Sequence, residues 1–141
     1  MHKARFMAAA VAVAVSLAVA GAGPATAKPG APSDFTLYSG DRDTLRVIFY
    51  QHANRGGAQL IYYGGSRCTA TLDDFEYSQR VMPPNWNDEI SWWQDFNSCD
   101  VKLYPDGPFQ GTPSPWMDGG SGNGRYVGDN FNDKTSSFRV S

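Results

Sequence analysis

The sequence predicts an all-β fold, and three observations carry that expectation. From residue 45 onwards no apolar pattern recurs at the helical period, while short apolar or alternating runs stand between glycines, prolines, asparagines and aspartates. Turn-forming residues are abundant, with 15 glycines and 9 prolines among 141 residues. Landmarks of the first half also recur in the second, in the same order. A sandwich or barrel of short strands suits such a pattern.

The chain opens on the basic string Met1-His2-Lys3-Ala4-Arg5, followed by an apolar run over 6–20 that carries no charge. Ala25-Thr26-Ala27 supplies small residues at the positions a signal peptidase reads, so residues 1–27 are expected to be a signal peptide cleaved before Lys28. A membrane anchor is the alternative, but Gly21, Gly23 and Pro24 shorten the apolar stretch below the ~20 residues that span a bilayer. The expected mature protein, residues 28–141, is secreted and extracellular, has no membrane contact after cleavage, and forms one monomeric domain. Removing Lys3 and Arg5 leaves ten basic side chains against 14 acidic ones, which makes nucleic acid a poor partner. Cys68 and Cys99 are the two cysteines, and in an oxidising compartment such a pair reads as a disulfide rather than as reactive thiols.

Residues 28–44 read as an N-terminal arm, loose around Pro29, Gly30, Pro32 and Ser33, with a short strand at 35–38. Further strands are expected at 45–50, 59–63, 90–94, 100–104, 125–128 and 137–141. Val101 with Leu103, and Phe138 with Val140, show the period of two that buries one face of a strand.

The duplication has two landmarks. Phe49-Tyr50-Gln51-His52-Ala53-Asn54-Arg55-Gly56-Gly57 matches Leu103-Tyr104-Pro105-Asp106-Gly107-Pro108-Phe109-Gln110-Gly111, each an aromatic at a strand end, a turn and a glycine. Trp86-Asn87-Asp88-Glu89-Ile90-Ser91 matches Phe131-Asn132-Asp133-Lys134-Thr135-Ser136. Two four-stranded halves of this length suit a pair of Greek keys packed face to face.

These residues resemble the microbial βγ-crystallins. Tyr104 to Gly111 fits that family's Tyr-x-x-x-x-Phe-x-Gly turn, and Asn132-Asp133-Lys134-Thr135-Ser136-Ser137 fits its Asn/Asp-Asn/Asp-x-x-Ser/Thr-Ser calcium loop. The first copy departs at Arg55, where the turn aromatic is usual, and at Trp92, where the last serine is usual. The resemblance covers residues 45–141 and implies a βγ-crystallin-like sandwich of two Greek-key motifs, about 45–95 and 99–141.

The two loops offer oxygens of the kinds calcium takes: carboxylates from Asp88 and Asp133, amides from Asn87 and Asn132, hydroxyls from Ser91 and Ser136. The resemblance further implies backbone carbonyls from Glu89, Lys134, Gln51 and Pro105. Each site would then draw on both halves, and the ion would clamp the Greek keys together as a structural metal. Trp92 brings bulk where a hydroxyl is usual, so the loop around Asp88 is expected to bind more weakly. Asn-Asp-x-x-Ser strings also make ordinary turns, but their repetition beside paired hairpins favours calcium. The acidic run Asp73-Asp74-Phe75-Glu76 reads as a solvated loop.

A catalytic reading finds little support. His52 is the one histidine of the expected mature chain and falls in a hairpin turn, no serine stands in a Gly-x-Ser-x-Gly context, and nothing selects a pair among the acids. A non-catalytic calcium-binding domain is therefore expected. The chain also looks like bacterial secreted crystallin-fold metalloproteinase inhibitors, which makes an extracellular protease an alternative partner and 118–123 a candidate inhibitory loop. A lesser alternative is glycan binding, with Trp86, Trp92, Trp93 and Trp116 as a stacking platform.

Overall fold

The computed structural model describes residues 30–141; the expected signal peptide, residues 1–27, and the cleavage point before Lys28 lie outside them. The strands are β1 (Phe35–Tyr38), β2 (Thr44–His52), β3 (Gly56–Gly64), β4 (Tyr77–Gln79), β5 (Trp92–Asp95), β6 (Val101–Tyr104), β7 (Arg125–Tyr126) and β8 (Ser137–Val140), with one 3-10 turn at Ala53–Arg55. They form two sheets, a five-stranded one in the order β1-β3-β2-β5-β7 and a three-stranded one in the order β4-β8-β6. The fold is an all-β sandwich.

Alternation decides what lies between the layers. Val47 and Phe49 on β2, Leu60 and Tyr62 on β3, and Trp93 on β5 face Leu103 on β6 and Phe138 and Val140 on β8 in one buried cluster. The Phe49 and Phe138 rings meet edge to face with centroids 4.7 Å apart, joining the two sheets at their middle. Trp86 is fully buried in the core, and its Nε1–H donates to Ser33 O at 3.0 Å, which secures the chain just before β1. β1 then adds parallel to β3, pairing Phe35 with Leu60 and Tyr38 with Tyr63.

The duplication is visible in the strand register. Tyr50 lies opposite Trp92 and Phe49 opposite Trp93 in one sheet; Tyr104 lies opposite Ser137 and Leu103 opposite Phe138 in the other. The halves are not the sheets, however. β4 of the first half pairs with β8 of the second, and β7 of the second half pairs with β5 of the first. Each half lends one strand to the other's sheet, so neither layer is complete without both. In the second half the strand equivalent to β3 is reduced to two isolated bridges, Asp106 with Gln110 and Val101 with Met117.

Two expectations need correction. β4, with the polar sequence Tyr-Ser-Gln, was absent from the expected strands because three residues carry no readable period. The strand expected at 90–94 begins at Trp92, because Ile90 and Ser91 are drawn into the loop bonds described below.

Cys68 and Cys99 form a disulfide with their Cα atoms 4.9 Å apart. It ties the connection after β3 to the turn between β5 and β6, where Cys68 N–H also donates to Asn97 O.

Candidate metal centre

At the ends of β2 and β6 the chain turns twice in the same way. Arg55 and Phe109 take matching left-handed φ angles of 64° and 61°, and Gly57 and Gly111 follow at 74° and 77°. A Cβ on Gly57 would stand 2.9 Å from the Gln51 Cβ, and one on Gly111 would stand 2.6 Å from the Pro105 Cγ. Both glycines are thus required by conformation and by close approach. In the second hairpin Phe109 packs edge to face on Tyr104, with centroids 5.4 Å apart. In the first, Arg55 instead reaches out, and its Nη2 donates to Asn123 O at 3.0 Å.

The two Asn-Asp loops lie beside these turns and cross. Ser91 N–H donates to Tyr50 O and Ser136 N–H to Tyr104 O, both at 3.0 Å, so each loop is fixed to the hairpin of its own half. Asp88 N–H donates to Thr135 O and Asp133 N–H to Ile90 O, both at 3.1 Å, so each loop is also fixed to the other. Asp88 and Asp133 take left-handed φ angles of 59° and 53°, a conformation Asp tolerates better than most residues. That turn aims each carboxylate across the boundary between halves. Asp133 Oδ1 lies 3.3 Å from Ser91 Oγ, which is itself 2.8 Å from Gln51 O. Asp88 Oδ1 lies 3.2 Å from Ser136 Oγ.

The sequence-derived candidates therefore gather in two mixed sets. Asp133, Ser91 and Gln51 form one, with Glu89 joined to it through a Gln51 Nε2–H bond to Glu89 Oε2 at 3.2 Å. Asp88 of the first loop and Ser136 of the loop that carries Lys134 form the core of the other, with Pro105 following the strand-end Tyr104 to which Ser136 is bonded. Asn87 and Asn132 use their amide nitrogens, each donating to the neighbouring Asp carboxylate at 2.7 and 2.9 Å. They orient the acids. The last residue of the second loop, Ser137, is not at the ion position: its Oγ donates to Asp106 O and accepts from Phe109 N–H, both at 2.9 Å, and so pins the hairpin turn. Trp92 at the matching position costs the first half a turn anchor rather than an ion-facing hydroxyl.

The structure also assembles a group that sequence reasoning missed. The carboxylates of Asp95, Asp100 and Asp118 bring oxygens within 4.8 Å of one another, around a cavity of about 310 Å³. Asp95 is 2% exposed at a position whose counterpart in the other half is the core residue Val140. Burial pushes its pKa up and the Asp118 charge adds to this, against the opposing pull of the Gly119 and Ser121 N–H groups, which donate to it at 2.6 and 3.1 Å. Asp100 is raised too, by burial first and then by Asp118 and Asp95. The signal available in the sequence was Asp95 itself, an acid in phase with the buried residues of β5.

Other candidates are placed plainly. His52 is exposed in its turn. Asp73, Asp74 and Phe75 are exposed, and the carboxylates of Asp74 and Glu76 accept bonds from Thr69. Segment 118–123 is wound tightly around Asp95, with Gly120, Ser121 and Gly122 all at positive φ, so it does not present an extended strand. The four tryptophans form no common platform: Trp86 and Trp93 are core, Trp92 and Trp116 are half-buried, and of these Trp93 and Trp116 border one cavity.

No protein-family model matches this chain, and no curated protein matches it. Solved structures do. A βγ-crystallin domain from Clostridium beijerinckii is similar, at 22% identity and a TM-score of 0.48, over 67% of this chain and 95% of that one. One from Flavobacterium johnsoniae has 22% identity and a TM-score of 0.46, over 67% and 92%. A βγ-crystallin from an archaeon has 20% identity and a TM-score of 0.46, over 69% and 98%. These are likenesses of fold.

Proposed function

We propose that this chain is a secreted, non-catalytic domain that binds calcium at two sites shared between its halves, where the ion clamps them together. The observation that carries this reading is the reciprocal crossing of the loops, Asp133 to Ser91 and Asp88 to Ser136. Neighbouring oxygens on an ion with bonds of 2.3–2.6 Å stand about 2.8–3.5 Å apart. The 2.8 and 3.3 Å spacings around Ser91 Oγ already fall in that range. The donors are hard oxygens, which suit calcium and offer a zinc-type ion neither nitrogen nor thiolate.

One set would use the Asp133 carboxylate, the Ser91 hydroxyl and the carbonyls of Gln51 and Glu89. The other would use the Asp88 carboxylate, the Ser136 hydroxyl and the carbonyls of Pro105 and Lys134. Water completes the six to eight ligands calcium takes. No reaction is needed: at each site the ion neutralises one Asp carboxylate and cross-links loops of both halves.

Thermal unfolding in chelator and in millimolar calcium tests this. Extracellular calcium modules work at a Kd of about 10⁻⁴ to 10⁻³ M, and an ion at a hundred times its Kd adds about 2.7 kcal/mol. The melting temperature should rise by roughly 10 °C. Unchanged melting, or a rise that survives Asp88→Ala combined with Asp133→Ala, would reject the crossed loops as the site. Export is tested by sequencing the N-terminus of protein from the medium, which should begin at Lys28.

A further inference from the structure

At the β7 edge of the five-stranded sheet, a cavity of about 270 Å³ is lined by Trp93, Trp116, Met117, Asp118, Arg125 and Tyr126. It uses none of the calcium-loop residues. Trp93, 1% exposed, forms its floor, and Arg125 stands directly across from Trp93 in the β5–β7 register. We propose that this cavity is a carbohydrate site that takes one pyranose ring of a glycan.

The lining has the two kinds of surface a sugar needs. A pyranose presents apolar C–H faces, which pack on aromatic rings, and a girdle of hydroxyls, which seek planar polar groups. Trp116 and Tyr126 supply the rings, while Arg125 supplies a fork of N–H donors and Asp118 two acceptor oxygens. A cavity of this size is small for an extended ligand and suits a single ring.

The aromatic walls are already held. The Lys102 ammonium sits 5.5 Å from the Trp116 ring centroid, and Phe75 packs against the same ring at 6.0 Å. Tyr126 OH donates to Asp129 Oδ1 at 2.9 Å. Fixed walls lower the ordering cost of binding. Asp118 also borders the neighbouring cavity that contains Asp95 and Asp100, so a longer glycan leaving the first ring meets further carboxylates. Those acids favour an amine-bearing second ring over a neutral one.

The test is titration of the full chain with cellohexaose, chitohexaose and the fully deacetylated chitohexamer, read by tryptophan fluorescence and calorimetry, in chelator and in calcium. Saturable binding is expected for at least one of the three, tightest for the deacetylated hexamer. Trp116→Ala should weaken it at least about tenfold, equivalent to about 1.4 kcal/mol. Arg125→Ala, on an exposed edge strand, should weaken it several-fold without changing the melting temperature. The site is overturned if none of the three oligosaccharides binds saturably, or if binding is indifferent to both substitutions.

Discussion

Asp133 and Asp88 occupy matching positions, yet their surroundings differ in charge. On the Asp133 side, Gln51 holds the Glu89 carboxylate nearby; on the Asp88 side, the equivalent of Glu89 is Lys134, whose Nζ donates to Asp129 O at 3.1 Å. Calcium affinity follows ligand charge, so Asp133→Ala should abolish the tighter of two calorimetric events and Asp88→Ala the weaker. The reverse order would show that charge does not rank the sites. The sequence pointed to the same order for a different reason, the missing serine at Trp92, and the bonds of Ser137 remove that reason. Asp95 and Asp100 pose a separate question of pH. Their folded pKa values are raised above the ordinary 3.8, mainly by burial. The folded state therefore holds these protons longer than the unfolded chain, and stability falls as pH rises from 3.8 through the raised values. Asp100→Asn removes one charge from the cluster without changing its shape. It should melt a few degrees higher than the wild type at pH 7 in chelator, and the difference should vanish near pH 4. An equal effect at both pH values would mean that charge repulsion is not what the substitution relieves.

At the scale of elements, the two hairpins show what a repeated turn needs. Tyr104, Phe109 and Gly111 form a packed corner pinned by Ser137, while Tyr50, Arg55 and Gly57 make the same backbone path with an exposed arginine and no pin. Ser137→Ala leaves Phe109 N–H and Asp106 O without that partner, which should cost about 1–3 kcal/mol. Arg55→Ala, at an exposed position, should cost no more than about 0.5 kcal/mol. Urea denaturation of both variants checks this, and equal losses would mean that the corners are held alike. Much of this was legible in advance. The glycines, the Asn-Asp strings and the period-two strands β6 and β8 have local signatures, and the structure places them where those signatures point. The crossing of the loops was legible only as a sharing of sites between halves. Which Asp meets which Ser depends on contacts between loops more than 40 residues apart, and these leave no mark in either loop. β4 and the Asp95 cluster escaped for different reasons: one is too short to show a period, and the other assembles from residues 95, 100 and 118.

Across the whole molecule, three devices hold the halves, and they act at different places. The exchanged strands β4 and β7 interlock the sheets, the crossed Asp loops join the ends of β2 and β6, and the disulfide, with a sequence separation of 31, ties Cys68 of the first half to Cys99 at the start of the second. Closing a loop of that length should add about 3–4 kcal/mol in the chain-entropy model, acting on the unfolded chain. The calcium effect acts on the folded state; Asp88 and Ser91 lie within the closed span, but they bond to Thr135, Ser136, Tyr50, Gln51 and Asp133, not to the bridged cysteines. Contributions from separate sites with no shared partners usually add. The variant carrying Cys68→Ser and Cys99→Ser should therefore melt well below the wild type in chelator, yet show the same calcium-induced rise in melting temperature. Loss of the rise in that variant, with its fold intact by circular dichroism, would mean that the disulfide positions the calcium loops and that the two devices are one.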